Sequence, residues 1–345
     1  MDYRSPGTDD LCLLVRAALS FFESTPWRQL DWNQPFGVRD PETNRVILAM
    51  VNGRLGTDFG LSAYPGADGF VTMHRIIHGL IPEVNEESLH EIRSFLCGFA
   101  SRSTLKTSDR QLLKDAGCDL RRGRLVPLFR SFVPGYFPWQ LDADEARLLT
   151  LLLRQSSLVA RDVARHPRLF EGAPRHSYLT RRVMDDAAGP PEAYEWAAPD
   201  IPDSPPMRVR GPDELTSARL SRLPIDEGAE WEVALATGAG VVQPSPGVRP
   251  QMLLTLFVVD RGSGYIHHGE PMSASGALGS LQRVFAGVLL SLGFAPRRIL
   301  VRNHAQREQL APVARLTGSK LLRVQRLPQV EEASTALHDF MTGRG

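Results

Sequence analysis

Metal-assisted cleavage of a phosphodiester requires converging carboxylates, because two divalent ions about 4 Å apart must share oxygen ligands. The stretch LLTLFVVDRGSGYIHHGEP, residues 253–271, ends an apolar run on Asp260, an acid at the end of a predicted strand. Glu331, Glu332 and Asp339 in the last predicted helix are the acids that could join it, with Mg²⁺ or Mn²⁺ as the ion. The partners such a centre needs elsewhere are missing. The predicted helix around 274–292 carries no acid, and the strand RRILVR runs into Arg302-Asn303 instead of an aspartate. One or two carboxylates hold two divalent ions poorly. Asp260 is therefore expected to be a turn residue that accepts backbone hydrogen bonds ahead of Gly262 and Gly264.

His74 and His78 in FVTMHRIIHGL lie four apart and share one face of a helix, which is metal-ligand spacing. Position 75 is arginine, so the glutamate of a HExxH site is absent, and a third ligand such as His90 or Glu86 would be needed. The expectation is a solvated surface pair and no resident metal. His267 and His268 alternate across a strand and cannot enter one site together. Cys12, Cys97 and Cys118 form no CxxC, which argues for free thiols. Neither GxxxxGK[ST] nor GxGxxG occurs, so no phosphate cradle is expected.

Phosphate could otherwise meet arginine. Arg147, Arg154 and Arg161 recur every seven residues, and Arg165 follows them, opposite a stripe of Leu148, Leu152, Gln155, Val159 and Val163. Arg121-Arg122-Gly123-Arg124 is the second basic patch. Aromatic side chains that would stack bases do not interleave with either, so a solvated face is the main expectation and nucleic-acid contact the lesser one. The net charge of +1 gives no global steering toward a polyanion.

The elements that must position these residues follow from periodicity. DLCLLVRAALSFFE, 10–23, is an amphipathic helix. Two β-rich runs around Asp40-Pro41-Glu42-Thr43-Asn44 form a hairpin, FGLSAYPG is a further strand, and helices are predicted over 69–79 and 85–99. Asp142 and Glu145 open a long helix over 141–165, ended by Pro167. Eight prolines between 187 and 225 mark an extended boundary. Three strands follow it, and then the order is helix, strand, helix, strand, helix to the end of the chain. At 345 residues with 42% apolar content, the chain is expected to fold as two or three packed units. The expected division is an α+β domain over 1–100, a helical connecting region over 101–186, a proline-rich linker over 187–225, and an α/β domain with a mixed sheet over 226–345. An acidic N-terminus and the lack of an apolar run near the ~20 residues that span a bilayer predict a cytoplasmic protein without membrane contact.

The C-terminal sequence of elements resembles the ribonuclease H-like fold, which implies Asp260 in the first-strand carboxylate position. More broadly, PGYFPWQLDADEA, together with FGVRDPETNRVILAMVNG, LFVVDRGSG, PRRILVRN and LLRVQRLP, resembles a group of bacterial proteins built from paired domains of unknown function. That resemblance implies a domain order and supplies no catalytic residues. The expectation is a non-catalytic binding or interaction protein, with another protein as a candidate partner, and the alternative is a metal-dependent nuclease of ribonuclease H-like type using Asp260, Glu331 and Glu332.

Overall fold

In a computed structural model, residues 4–80, 92–118, 124–183, 192–199, 209–243, 245, 247–273 and 277–342 are described. The chain divides into two compact units. Of the described residues, the first takes those up to 80, 92–133 and 138–199, and the second takes 134–137 and everything from 209 onward.

In the first unit, the two runs around the Asp40–Asn44 turn form the antiparallel strands β1 (Phe36–Arg39) and β2 (Val46–Asn52). With β3 (Gly60–Tyr64), β4 (Ser94–Ser101), β5 (Leu125–Phe132), β6 (Tyr178–Arg182) and β7 (Tyr194–Ala197) they build one sheet of order β5-β4-β3-β2-β1-β6-β7. Among the described strands of this sheet, only β1 and β6 pair in parallel. Strand β2 reads VILAMVN because both faces of the sheet are covered. Ile47, Ala49 and Val51 enter the core made with helices α1 (Thr8–Ser24) and α4 (Ala143–Arg165), while Val46, Leu48 and Met50 meet Met73 of α2 (Gly66–Ile77). A strand buried on both sides needs a continuous apolar run. Helix α4 starts on a reciprocal capping box: Glu145 N–H donates to Asp142 Oδ1 at 2.8 Å, and Asp142 N–H donates to Glu145 Oε2 at 3.2 Å.

Two expectations fail here. The predicted helix over 85–99 is, in its described part, strand β4, because Phe95 and Cys97 point into the α1/α4 core at a period of two; residues 85–91 lie outside the described residues. The 101–186 region is not a helical connector. It holds α3 (Thr107–Asp115) and α4, but also β5 and β6, which complete the first sheet. The proline-rich stretch contains β7 and helix α5 (Glu214–Leu220), and 187–191 and 200–208 lie outside the described residues. Residues Pro134–Phe137 belong to the second unit. Phe137 packs against the second unit's core, and its N–H donates to Pro250 O at 2.9 Å.

The second unit carries the order β10-β9-β8-β11-β12, with β8 (Ile225–Val242), β9 (Gln251–Asp260) and β10 (Ile266–Ser273) antiparallel, and β11 (Ala295–Val301) and β12 (Lys320–Arg323) parallel to β8. Helices α6 (Ala277–Leu292) and α7 (His304–Thr317) join the parallel strands, and α8 (Pro328–Thr342) follows them. Trp231, Val233 and Leu235 of β8 pack with α6 and α7; the alternate residues share the face with Leu327 and Val330 at the start of α8.

The first unit's most buried charge is Arg181 of β6, 0% exposed. Its Nη1 donates to Asp162 Oδ2 and its Nε to Gln155 Oε1, both at 2.9 Å, and Tyr194 Oη donates to the same Asp162 oxygen at 2.9 Å. Removing one partner of a buried pair strands the other charge. Arg181→Met is expected to destabilise the first unit by about 3–5 kcal/mol in urea unfolding, and the double variant Arg181→Met/Asp162→Leu by less than the single one. A loss under about 1 kcal/mol, typical of exposed pairs, would show the network to be dispensable.

Candidate functional site

The acids proposed for metal chemistry are held apart by strand register. Asp260 stands directly opposite Trp231 in the β8–β9 ladder, and directly opposed residues share a face. That face is the one covered by α6 and α7, whereas Glu331 and Glu332 sit on α8 across the sheet. Asp260 also lies at the end of β9, the second strand of the sheet, so the first-strand position implied by the fold resemblance is not its own. Its Oδ1 accepts from Gly262 N–H at 3.1 Å, Ser263 N–H at 2.8 Å and Ser263 Oγ at 2.7 Å. Burial would raise this carboxyl, and those hydrogen bonds outweigh it and hold it below the usual range.

The buried acid of the first strand is Glu232, which the sequence pattern alone did not single out. It is 0% exposed in the middle of β8, and its Oε2 accepts the N–H groups of Gln329 and Val330 at 2.9 and 3.1 Å, at the open end of α8. Arg261 Nε lies 3.8 Å from its Oε1. Burial raises the Glu232 carboxyl above its ordinary value, opposed by the two amides and Arg261. The available signal was an acid set between Trp231 and Val233 in an alternating strand. Glu331 is held by Arg326 at 2.8 Å, whose hydrogen bond lowers its carboxyl, and faces Arg302 at 3.7 Å; Glu332 is exposed one residue further around the helix. Among the described residues, no three His, Cys, Asp or Glu side chains gather closely enough to hold a metal ion.

His74 and His78 do meet on α2, with ring centroids 4.1 Å apart, and burial followed by the neighbouring His78 lowers the His74 ring. The suggested third ligands Glu86 and His90 lie outside the described residues. The arginine series is not uniform. Arg147 forms a two-pronged pair with Asp40, Nη1 and Nη2 each donating to one carboxylate oxygen at 2.9 Å, and Arg161 Nε lies 3.2 Å from Asp162. Arg154 is exposed on the rim of an open groove between α1 and α4, and Arg165 is exposed in the last turn of α4, where a cation suits the helix dipole. In the second basic patch, 121–123 lie outside the described residues.

A concavity lies in the first unit, between α1, α3, β5 and residues 140–141, with a volume of about 320 Å³. Its floor is apolar, formed by Leu14, Leu113, Phe129 and Leu141, all nearly buried. The charged side chains lining it are Asp109 and Asp115. Asp109 is bound through both oxygens by Arg130 at 2.7 Å, whereas Asp115 is exposed at the end of α3 with one oxygen accepting from Gln111 Nε2 at 2.7 Å.

Residues 13–181 match a family model described as a domain of unknown function, DUF7309, and residues 216–338 match a second, DUF6930. The chain thus pairs two such domains, one in each structural unit. No curated protein and no solved structure matches it.

The Asp40–Arg147 pair yields a pH test. The hydrogen bond from Arg147 brings the Asp40 carboxyl from 3.8 down to about 2 against the opposing effect of burial. A depressed acid stabilises the fold above its unfolded value and loses that contribution as pH falls through the folded one. Asp40 should therefore contribute about 2 kcal/mol at neutral pH, lost between pH 3.8 and about 2. Thermal unfolding of Asp40→Asn across pH should show a stability deficit at neutrality that shrinks through this window. A deficit independent of pH would refute the assignment.

Proposed function

We infer that this is a non-catalytic binding protein whose C-terminal unit is a ribonuclease H-like domain without a working carboxylate centre. The strand order supports the fold assignment: a central strand continued on one side by a two-strand antiparallel meander and on the other by two parallel strands, with a helix before each of the parallel ones. The observation that carries the functional reading is the commitment of Asp260, Glu331 and one oxygen of Glu232 to protein partners. Glu232 receives the amides of α8, Glu331 receives Arg326, and Asp260 receives its own turn. A divalent ion would have to displace these donors and draw oxygens together from both faces of one sheet. The binding role is supported by the concave surface of the first unit.

The competing reading is a Mg²⁺- or Mn²⁺-dependent nuclease using Asp260, Glu331 and Glu332. An ion bound to the native state raises the melting temperature by mass action. Neither Mg²⁺ nor Mn²⁺ is expected to shift the melting temperature of the wild-type chain, and labelled single- and double-stranded DNA and RNA should stay intact in their presence. Asp260→Asn should cost under about 1 kcal/mol, since asparagine retains an acceptor for the turn. A metal-dependent rise that disappears in Asp260→Asn, accompanied by strand cleavage, would establish the nuclease instead.

A further inference from the structure

We propose that the cavity between α1, α3 and β5 is a binding site for a small cationic amphiphile, an aromatic or alkyl body carrying an ammonium group. This deepens the binding reading above and rests on it. Three observations fix the chemistry. The volume of about 320 Å³ is roughly twice the ~150 Å³ that admits benzene, so it suits one ring with a short tail. Its floor of Leu14, Leu113, Phe129 and Leu141 can desolvate that ring, because these side chains are already withdrawn from water.

The polar end is defined by charge. Among the described residues, neither lysine nor arginine lines the cavity, while two carboxylates do. A carboxylate or phosphate entering beside Asp109 and Asp115 would meet like charge. An ammonium would meet attraction, chiefly from Asp115. Asp109 has spent both oxygens on Arg130, but Asp115 is exposed and offers its second oxygen at the C-terminal end of α3, where the helix dipole also favours a cation. Recognition thus separates into a ring seated on the leucine floor and a cation at the rim.

The test uses full-length protein and three molecules of one shape: phenylbutylamine, phenylbutanol and phenylbutyrate. Calorimetric titration should give the amine a Kd on the order of 0.1–1 mM, the alcohol weaker binding, and the butyrate binding at least about tenfold weaker than the amine. Saturating amine should raise the melting temperature by a few degrees. Asp115→Asn, a change at an exposed position, should bring the amine down to the level of the alcohol. Leu112→Trp, which fills the cavity from its wall, should abolish binding of all three. Because a bulky residue there could unsettle the core, Ser108→Phe at the exposed rim serves as a second filled variant, and circular dichroism confirms that each is folded. Failure of all three molecules to bind, butyrate binding as well as the amine, or amine binding unchanged in a folded filled variant would each overturn the proposal. None of these outcomes touches the non-catalytic reading, which fails separately through a metal-dependent rise in melting temperature.

Discussion

Both sheets of this protein are covered on two faces, and that constraint governs where its polar groups can go. A side chain leaving β2, or the buried middle of β6 or β8, in either direction enters a packed layer, so it must be apolar or bring a partner with it. Arg181 and Glu232 are the consequences. Each is fully withdrawn from water in the middle of its unit, and each is answered from a neighbouring helix: Arg181 by Asp162 and Gln155 of α4, Glu232 by the first amides of α8. Such groups add little net stability over apolar replacements, yet they are costly to mispair. They fix which helix face meets which strand.

The same logic separates buried charge from available charge. Asp40, Asp162 and Glu145 each hold an arginine in a short, partly desolvated pair. An arginine so engaged must break that pair before it can meet a phosphate, which weakens a continuous basic stripe along α4. What remains exposed at Arg154 and Arg165 is a pair of separated cations. The acidic rim of the α1/α3/β5 cavity is different. One of its carboxylates, Asp115, is exposed beside an apolar floor, the arrangement on which the proposed recognition by charge rests.

The sequence by itself determined most of the elements. The helix starting at Asp142 carries its capping box in four consecutive residues, and the hairpin around Asp40–Asn44 carries its turn chemistry locally, so both were legible from short-range pattern. The C-terminal alternation of strands and helices likewise followed from periods of two and 3.6. Strand β4 was misread because its upstream acids imitate a helix start, and only pairing with β3 and β5 reveals a period of two. Tertiary structure alone decided the rest. Which face Asp260 shares depends on a register set across β8 and β9; which acid is buried in the central strand depends on strand order and the helix that covers it; and the cavity exists because residues from 5 to 141 converge on one place. Local pattern encodes how a segment folds, but the meeting of distant side chains is fixed by packing, and function rests on those meetings.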